Sequence, residues 1–293
     1  MPRPATTALW LGLAIALGPA SARAYCFSAA CGDGEQSTLC DGNALPRGGC
    51  APLSWRSACM GYSVNAAGSD RIDARTAELI TELAFDAWRI ADCGGQRPGF
   101  VAQNLGFVDC GTVEYNKDAG NANIIVFRDD AWPHPDTGHN IALTTTTFDP
   151  NTGELLDADI ELNSASYELS VSDDDVQFDL LSVLTHEIGH FLGLSHSDDA
   201  EATMFASYEP GTTELRTLEA DDQLAICTLY PPAPGLDESC NPLPRHGFSP
   251  DCKGEQLEGD CSFARAKGSH GALGFALLLG ASLGLRRLRV RAR

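Results

Sequence analysis

The stretch His186-Glu187-Ile188-Gly189-His190-Phe191-Leu192-Gly193-Leu194-Ser195-His196 constrains this chain more than any other. On a helix, His186 and His190 stand four residues apart on one face. Two imidazoles so placed can share one Zn²⁺ as nitrogen ligands. Glu187 follows the first of them and can lean toward a water at the metal without being a ligand. Gly193 lies just past the helical part, where a glycine takes positive φ and stops the helix. The chain can then turn back and offer His196 as a third ligand. Three protein ligands leave a fourth position open, the layout of a catalytic zinc site rather than a structural one.

The 293 residues suffice for one domain of ordinary size plus appendages. Residues 1–24 read as a secretory signal: Arg3 supplies positive charge, Ala8 to Leu17 is a short apolar run, and Ala22-Arg23-Ala24 is an A-x-A cleavage site. The 11 cysteines all lie after that segment and include no C-x-x-C pair, so disulfides in an oxidising compartment are the expectation. Four of them crowd residues 25–51, a Cys- and Gly-rich segment with little periodicity that reads as a small stapled unit whose pairing stays open. Cys240 and Cys252 are expected to pair locally in a polar linker, 232–262.

The formal net charge is −20. Nine of the 20 basic residues and none of the 40 acidic ones lie in 1–24 or 261–293, so the middle carries 40 acids against 11 bases, a net of −29. Such a surface repels nucleic acid and anionic lipid. Some of the carboxylates could bind Ca²⁺; most are expected to be solvated surface.

Between the cysteines, Trp55 to Val64 is strand-like, and Arg71 to Ala91 carries Ile72, Ala77, Ile80, Leu83, Ala84, Ala87, Trp88 and Ala91 on one helical stripe. Phe100-Val101-Ala102 and Asn123 to Phe127 read as strands. Ile141 to Phe148 and Leu155 to Leu162 flank the turn-rich Asp149-Pro150-Asn151-Thr152-Gly153 and predict a hairpin. Val176 to Leu192 is the expected histidine-bearing helix, with Asp173, Asp174 and Asp175 at its positive end. A last helix is expected over Leu218 to Leu229. Strands first and the functional helix after them imply an α+β fold.

The eleven-residue run resembles the long zinc signature of the metzincin peptidases. Within that clan the chain is most similar to the matrixins, over about residues 52–231. Met204 lies eight residues after His196, in Ala202-Thr203-Met204-Phe205-Ala206-Ser207-Tyr208, which resembles Met-Tyr-Pro-x-Tyr with Phe205 and Ala206 as departures. Ser197 after the third histidine, Leu218 to Leu224, and Ala158 to Asn163 are similar as well. The resemblance implies a zincin fold: a twisted, mixed five-stranded sheet, three main helices and a cleft over the histidine helix. It implies one catalytic Zn²⁺ on His186, His190 and His196, Glu187 as general base and acid for hydrolysis of a protein or peptide substrate, and Met204 as the methionine turn beneath the metal. Tyr208 would wall the pocket for the side chain after the scissile bond, and the loop Glu209 to Thr217 would set that pocket's depth. Substrate would lie along an edge strand within Ile141 to Phe148.

Two matrixin features are absent. Pro46-Arg47-Gly48-Gly49-Cys50 only loosely echoes the latency run Pro-Arg-Cys-Gly, and His134, Asp136 and His139 fall short of a second zinc site. Residues 263–293 combine the apolar run Gly271 to Leu285 with a terminal Arg cluster. With Cys261 before it, this resembles the C-terminal sorting tail of myxobacterial surface proteins, where the cysteine marks processing and lipid attachment; a retained anchor is the alternative. The expected protein is therefore secreted and surface-attached in a Gram-negative bacterium, touching membrane through its tail alone. The rival expectation is a catalytically weak binding or structural protein on the same scaffold, which the retention of Glu187 and all three histidines disfavours. Oligomeric state and natural substrate are not legible in the sequence.

Overall fold

The computed structural model describes residues 24–32, 35–40, 49–236 and 240–252. Cys261, the expected signal up to residue 23 and the tail lie outside the described residues. A central sheet of five strands carries the molecule: β4 (Cys59–Asn65), β5 (Val101–Val108), β6 (Ile124–Phe127), β7 (Ala142–Phe148) and β8 (Leu155–Leu162). Their order is β5-β4-β6-β8-β7; the first four run parallel, and β7 closes the edge antiparallel to β8. The metzincin expectation of a mixed five-stranded sheet with three helices, α1 (Ala74–Arg89), α2 (Leu180–Phe191) and α3 (Ala220–Leu229), is met. The β7–β8 hairpin forms as expected, its turn closed by Asp149 N–H to the Glu154 carbonyl at 2.9 Å.

Helix starts are set by caps rather than by the apolar pattern. Asp73, in extended conformation, accepts from Thr76 N–H at 3.0 Å and starts α1 two to three residues later than the stripe implies. The helix buries Ala77, Thr81, Ala84, Phe85 and Trp88, whereas Leu83 is 56% exposed, against expectation. Leu83 lies one residue to the side of the Ala84/Trp88 row, and the sheet and α2 face only that row. The run 176–179 likewise is not helical. Phe178–Asp179 (β10) pairs in parallel with Leu169–Ser170 (β9), and Asp179 caps α2 through Ser182 N–H at 2.8 Å.

One core lies between the sheet and α1 and α2. Phe85 stacks on Tyr62 at 4.1 Å and meets Phe191 edge-on at 5.3 Å. Trp88 donates to the Thr185 carbonyl at 2.7 Å and Trp55 to the Phe191 carbonyl at 2.9 Å, so each indole N–H buried against α2 is satisfied. The opposite sheet face buries Val108, Ile124 and Val126 beneath Phe248.

The two segments outside the sheet are more integrated than the sequence implies. Residues 25–51, expected to lack periodicity, contribute β1 (Cys26–Ala30), wholly buried, together with β2 (Gln36–Leu39) and part of β3 (Ala51–Pro52). β1 pairs on one side with β2 and on the other with β3 and with β11 (Leu194–Ser195). Disulfides Cys26–Cys40 and Cys31–Cys50 staple it. The expected Cys240–Cys252 pair is not formed. Cys240 bonds to Cys59 and Cys252 to Cys110, and a further bridge joins Cys93 to Cys227. The reason is backbone pairing: Asn121 and Asp109 donate to the carbonyls of Gly247 and Pro250, which lays residues 247–252 along the far face of the sheet and parts Cys240 from Cys252. The Cys59–Cys240 link closes 181 residues of chain. Replacing both cysteines by serine is expected to lower stability by roughly 2–5 kcal/mol, seen calorimetrically as a drop in Tm; an unchanged Tm would mean that hydrogen bonds alone hold the segment.

Candidate metal centre and cleft

α2 presents His186 and His190 on one face, as their spacing requires. Past its C-terminus Gly193 adopts φ 104°, and a Cβ there would run into the Leu53 carbonyl oxygen. Only glycine permits this reversal. Gly193 N–H donates to the His190 carbonyl at 2.9 Å, and its own carbonyl accepts from Ser28 N–H at 3.0 Å, which ties the turn to β1. The chain then returns His196 over the helix.

The three imidazoles converge. Ring centroids lie 4.8–5.3 Å apart, and one ligand atom from each fits within 4.8 Å. His190 Nε2 and His196 Nε2 are 3.2 Å apart. Nitrogens about 2.0–2.1 Å from a tetrahedral zinc sit about 3.3 Å from each other, so the spacing fits that metal. Nδ1 of His186 faces the Thr203 carbonyl at 2.7 Å and Nδ1 of His190 faces the Leu194 carbonyl at 3.0 Å. Those carbonyls take the Nδ1 protons and leave Nε2 unprotonated for a metal. Burial lowers the pKa of His186 to about 4 and pulls His190 below its usual value, which keeps both neutral as ligands must be. Among the described residues this is the only group of three or more such side chains with converging ligand atoms. His134, one of the residues weighed for a second zinc, is engaged with Glu161 at 2.6 Å. Cys50 is committed to its disulfide and offers no thiolate.

Glu187 turns from the ligand face toward β7. The Thr144 hydroxyl donates to its Oε2 at 2.6 Å, and burial raises its pKa against the opposing pull of His190 and Thr144. Met204 is buried, with its thioether against Gly189, where the Trp88 ring also approaches. The turn around it hangs on Asp222, a residue the sequence analysis did not single out for a role. The buried Asp222 carboxylate accepts N–H bonds from Thr203 at 2.7 Å and Met204 at 3.0 Å while capping α3 through Glu219 N–H at 3.0 Å. Nothing in the sequence pattern marks Asp222, since an acid in the first turn of a helix ordinarily serves only the dipole.

These groups floor a cleft of about 640 Å³. β7 forms one side. At the end near the start of α2, Tyr167, Phe178, Tyr208, Pro210 and Leu215 surround an apolar recess, with Phe178 4.9 Å from Tyr167 and 5.7 Å from Tyr208. Tyr208 lines it, its hydroxyl accepting from Asp179 N–H at 3.0 Å and donating to the Thr212 carbonyl. The 209–217 loop is pinned by Arg216, whose Nε and Nη2 grip the buried Asp179 at 2.8 and 2.7 Å. Burial would raise the pKa of Asp179, but the hydrogen bonds from Arg216 and Ser182 outweigh it and hold the carboxyl below its usual range.

Comparison with known proteins places this geometry in context. Residues 54–231 match the family model of the matrixin peptidases, M10. The chain is 41% identical over 95 residues to Metalloendoproteinase 1-MMP of Arabidopsis thaliana, covering 30% of this chain and 24% of that protein. It is 44% identical over 84 residues to Metalloendoproteinase 1 of Glycine max, covering 28% and 27%, and 46% identical over 63 residues to Interstitial collagenase B of Mus musculus, covering 22% and 13%. The matched stretches thus span about a quarter or less of these relatives' length.

Two substitutions test the scaffold of the site. Gly189→Ala would drive a methyl into the Met204 thioether and within 2.9 Å of Trp88. A loss of roughly 1–3 kcal/mol in stability and weaker zinc retention on dialysis are expected. Arg216→Ala leaves Asp179 buried and unpaired, at a cost of roughly 3 kcal/mol by denaturant titration at pH 6. Because the folded pKa of Asp179 is depressed, its contribution is full above the unfolded value near 3.9 and is lost as the pH falls through the folded one. The gap between wild type and variant therefore narrows as the pH falls, first through the raised Asp179 pKa of the variant and then toward the depressed one of the wild type; a gap independent of pH would show that Asp179 is not its source.

Proposed function

Since the chain belongs to the matrixin family, we propose that it is a zinc-dependent endopeptidase, secreted and held at the cell surface. The observation that carries the reading is the buried Glu187 carboxylate, held by Thr144 beside three neutral, converging imidazoles. Zn²⁺ bound there supplies Lewis acidity, polarising a peptide carbonyl and acidifying a water.

The chain's own residues account for the rest. His186, His190 and His196 would hold the metal, the first two through Nε2 and oriented by the backbone carbonyls at their Nδ1 atoms. Glu187 accepts the proton of the attacking water at its carboxylate and delivers it to the departing amide nitrogen, which leaves as an amine. Thr144 aims that carboxylate from the strand along which substrate lies. β7 is the edge of the central sheet, and its free backbone groups pair with an extended peptide. Tyr208, Phe178 and Leu215 then receive an apolar side chain just after the scissile bond. Met204 and Asp222 set the floor under the histidines without entering the chemistry.

Secretion is supported by the signal-like residues 1–24 and by the five disulfides, which suit an oxidising compartment. Surface attachment rests on the resemblance of the Cys261 region and the Arg-rich terminus to a sorting tail.

The decisive experiment compares wild type with Glu187→Ala, each expressed with disulfides formed. Both are expected to retain about one zinc per chain by metal analysis. Wild type should cleave a denatured protein in a chelator-sensitive way, and the variant should lose at least about 10³-fold in rate, toward the upper end of what a positioned acid–base group contributes. Zinc in both with cleavage in neither would turn the assignment to a binding scaffold, and folded protein without zinc would end it.

A further inference from the structure

The end of the cleft opposite Tyr208 is built in part by residues outside the 54–231 match, Ser28 and Gln36. α2 is anchored near Tyr208 at its N-cap, and its other end leads through Gly193 into β11, which pairs with β1. The small sheet therefore stands at the His190 and His196 end. Its strands alternate. Phe27 and Leu194 turn into the core, whereas Ser28, Gln36, Thr38 and Ser195 share the other face, with Thr38 Oγ1 3.3 Å from Ser195 Oγ. Of that face, Ser28, Gln36 and Ser195 line the cleft together with the three histidines. Ser28 is buried and spends its hydroxyl on the Leu194 carbonyl at 3.2 Å. Gln36 is exposed and projects from the stapled strand β2. Every side chain this sheet offers to the cleft is an uncharged hydrogen-bonding group, in contrast to the apolar recess at the far end.

We propose that the disulfide-stapled β1–β2 hairpin is the wall of the cleft on the amino-terminal side of the scissile bond, and that Gln36 on it selects peptides carrying an uncharged hydrogen-bonding side chain there. This rests on the endopeptidase reading, in which the residue after the scissile bond occupies the Tyr208 recess. A peptide running along β7 must then place its preceding residues past His196, toward Gln36. Two disulfides, Cys26–Cys40 and Cys31–Cys50, restrain the hairpin, so the amide meets substrate from a supported strand rather than a loose loop. Gln36 is a specificity residue in this scheme and takes no part in the bond-breaking step.

The test uses the full chain, zinc-loaded, as wild type and as Gln36→Leu and Gln36→Asn. Peptides carry glutamine or leucine at each of the three positions before the scissile bond, and a second series varies the residue after it. Wild type is expected to favour glutamine by roughly 3–10-fold in kcat/KM at one of the three positions, the discrimination one hydrogen bond provides. Gln36→Leu should abolish or reverse that ratio, Gln36→Asn should keep part of it, and the second series should be unmoved in both. Cleavage with the first series unchanged in Gln36→Leu overturns the proposal. A second readout needs no turnover: hydroxamates attached to the carboxyl end of the same two peptides, titrated calorimetrically. If these bind with a Gln36-dependent preference while no peptide is cut, the hairpin wall stands and the endopeptidase reading fails. If they bind without preference, the wall is overturned whatever the activity.

Discussion

The reversal of the chain at Gly193 is the constraint from which the rest of the site follows. A helix alone can bring two histidines to one face, but a third donor requires the backbone to double back within six residues of His190. It does so at φ 104°, with the Leu53 carbonyl against the Cα hydrogen. The carbonyl of Gly193 is taken by Ser28, so the turn that positions His196 is also the seam between the helix and the small sheet. The convergence of the three imidazoles and the form of one cleft end are thereby set by one backbone feature. Gly189 plays the complementary part, since the bare helix surface there admits Met204 and Trp88 beneath the ligands.

Around this reversal, buried and half-buried carboxylates do the holding, each satisfied by several donors. Asp179 caps α2 and anchors the recess loop through Arg216. Asp222 caps α3 and suspends the Met204 turn. Asp221 accepts from the Ser197 hydroxyl at 2.7 Å and from Ala24 N–H at 3.0 Å, joining the start of the described chain to the residue after His196. A carboxylate can serve several N–H groups at once because its two oxygens offer about four acceptor sites. That capacity lets a single acid fix a helix end and a loop together, where an apolar contact would leave the loop free to slide. The acidic composition of the chain is thus not solely solvated surface.

Much of the scaffold was legible beforehand because its signals are local. The hairpin 141–162 announces itself by two β-rich runs around a turn sequence, and α1 and α3 by spacing, each within two or three residues. Where the structure departs from the sequence pattern, contacts distant in sequence decide. The 176–179 run and Leu83 follow a helical pattern that a cap and a neighbouring surface override. Cys240 and Cys252 are near neighbours in sequence, yet the backbone of 247–252 pairs with the 109–121 region and each cysteine finds a different distant partner, Cys59 or Cys110. Residues 25–51 look aperiodic because β1 is buried on both faces, which erases the alternation that marks a half-exposed strand.

What the sequence determined by itself was which residues stand together: three histidines on a helix and its return, a glutamate beside the first of them, a methionine eight residues on, and the class of fold that carries them, because each depends on residue identity at fixed short spacing. What only the tertiary structure decided was the partner of each of those groups. Thr144 reaches Glu187 across 43 positions, Asp222 reaches Met204 across 18, and Ser28 meets Leu194 across 166. Such pairings arise when strands and helices dock, and their residue types, a threonine, an aspartate and a serine, are common enough along any chain to carry no mark of the contact they will make.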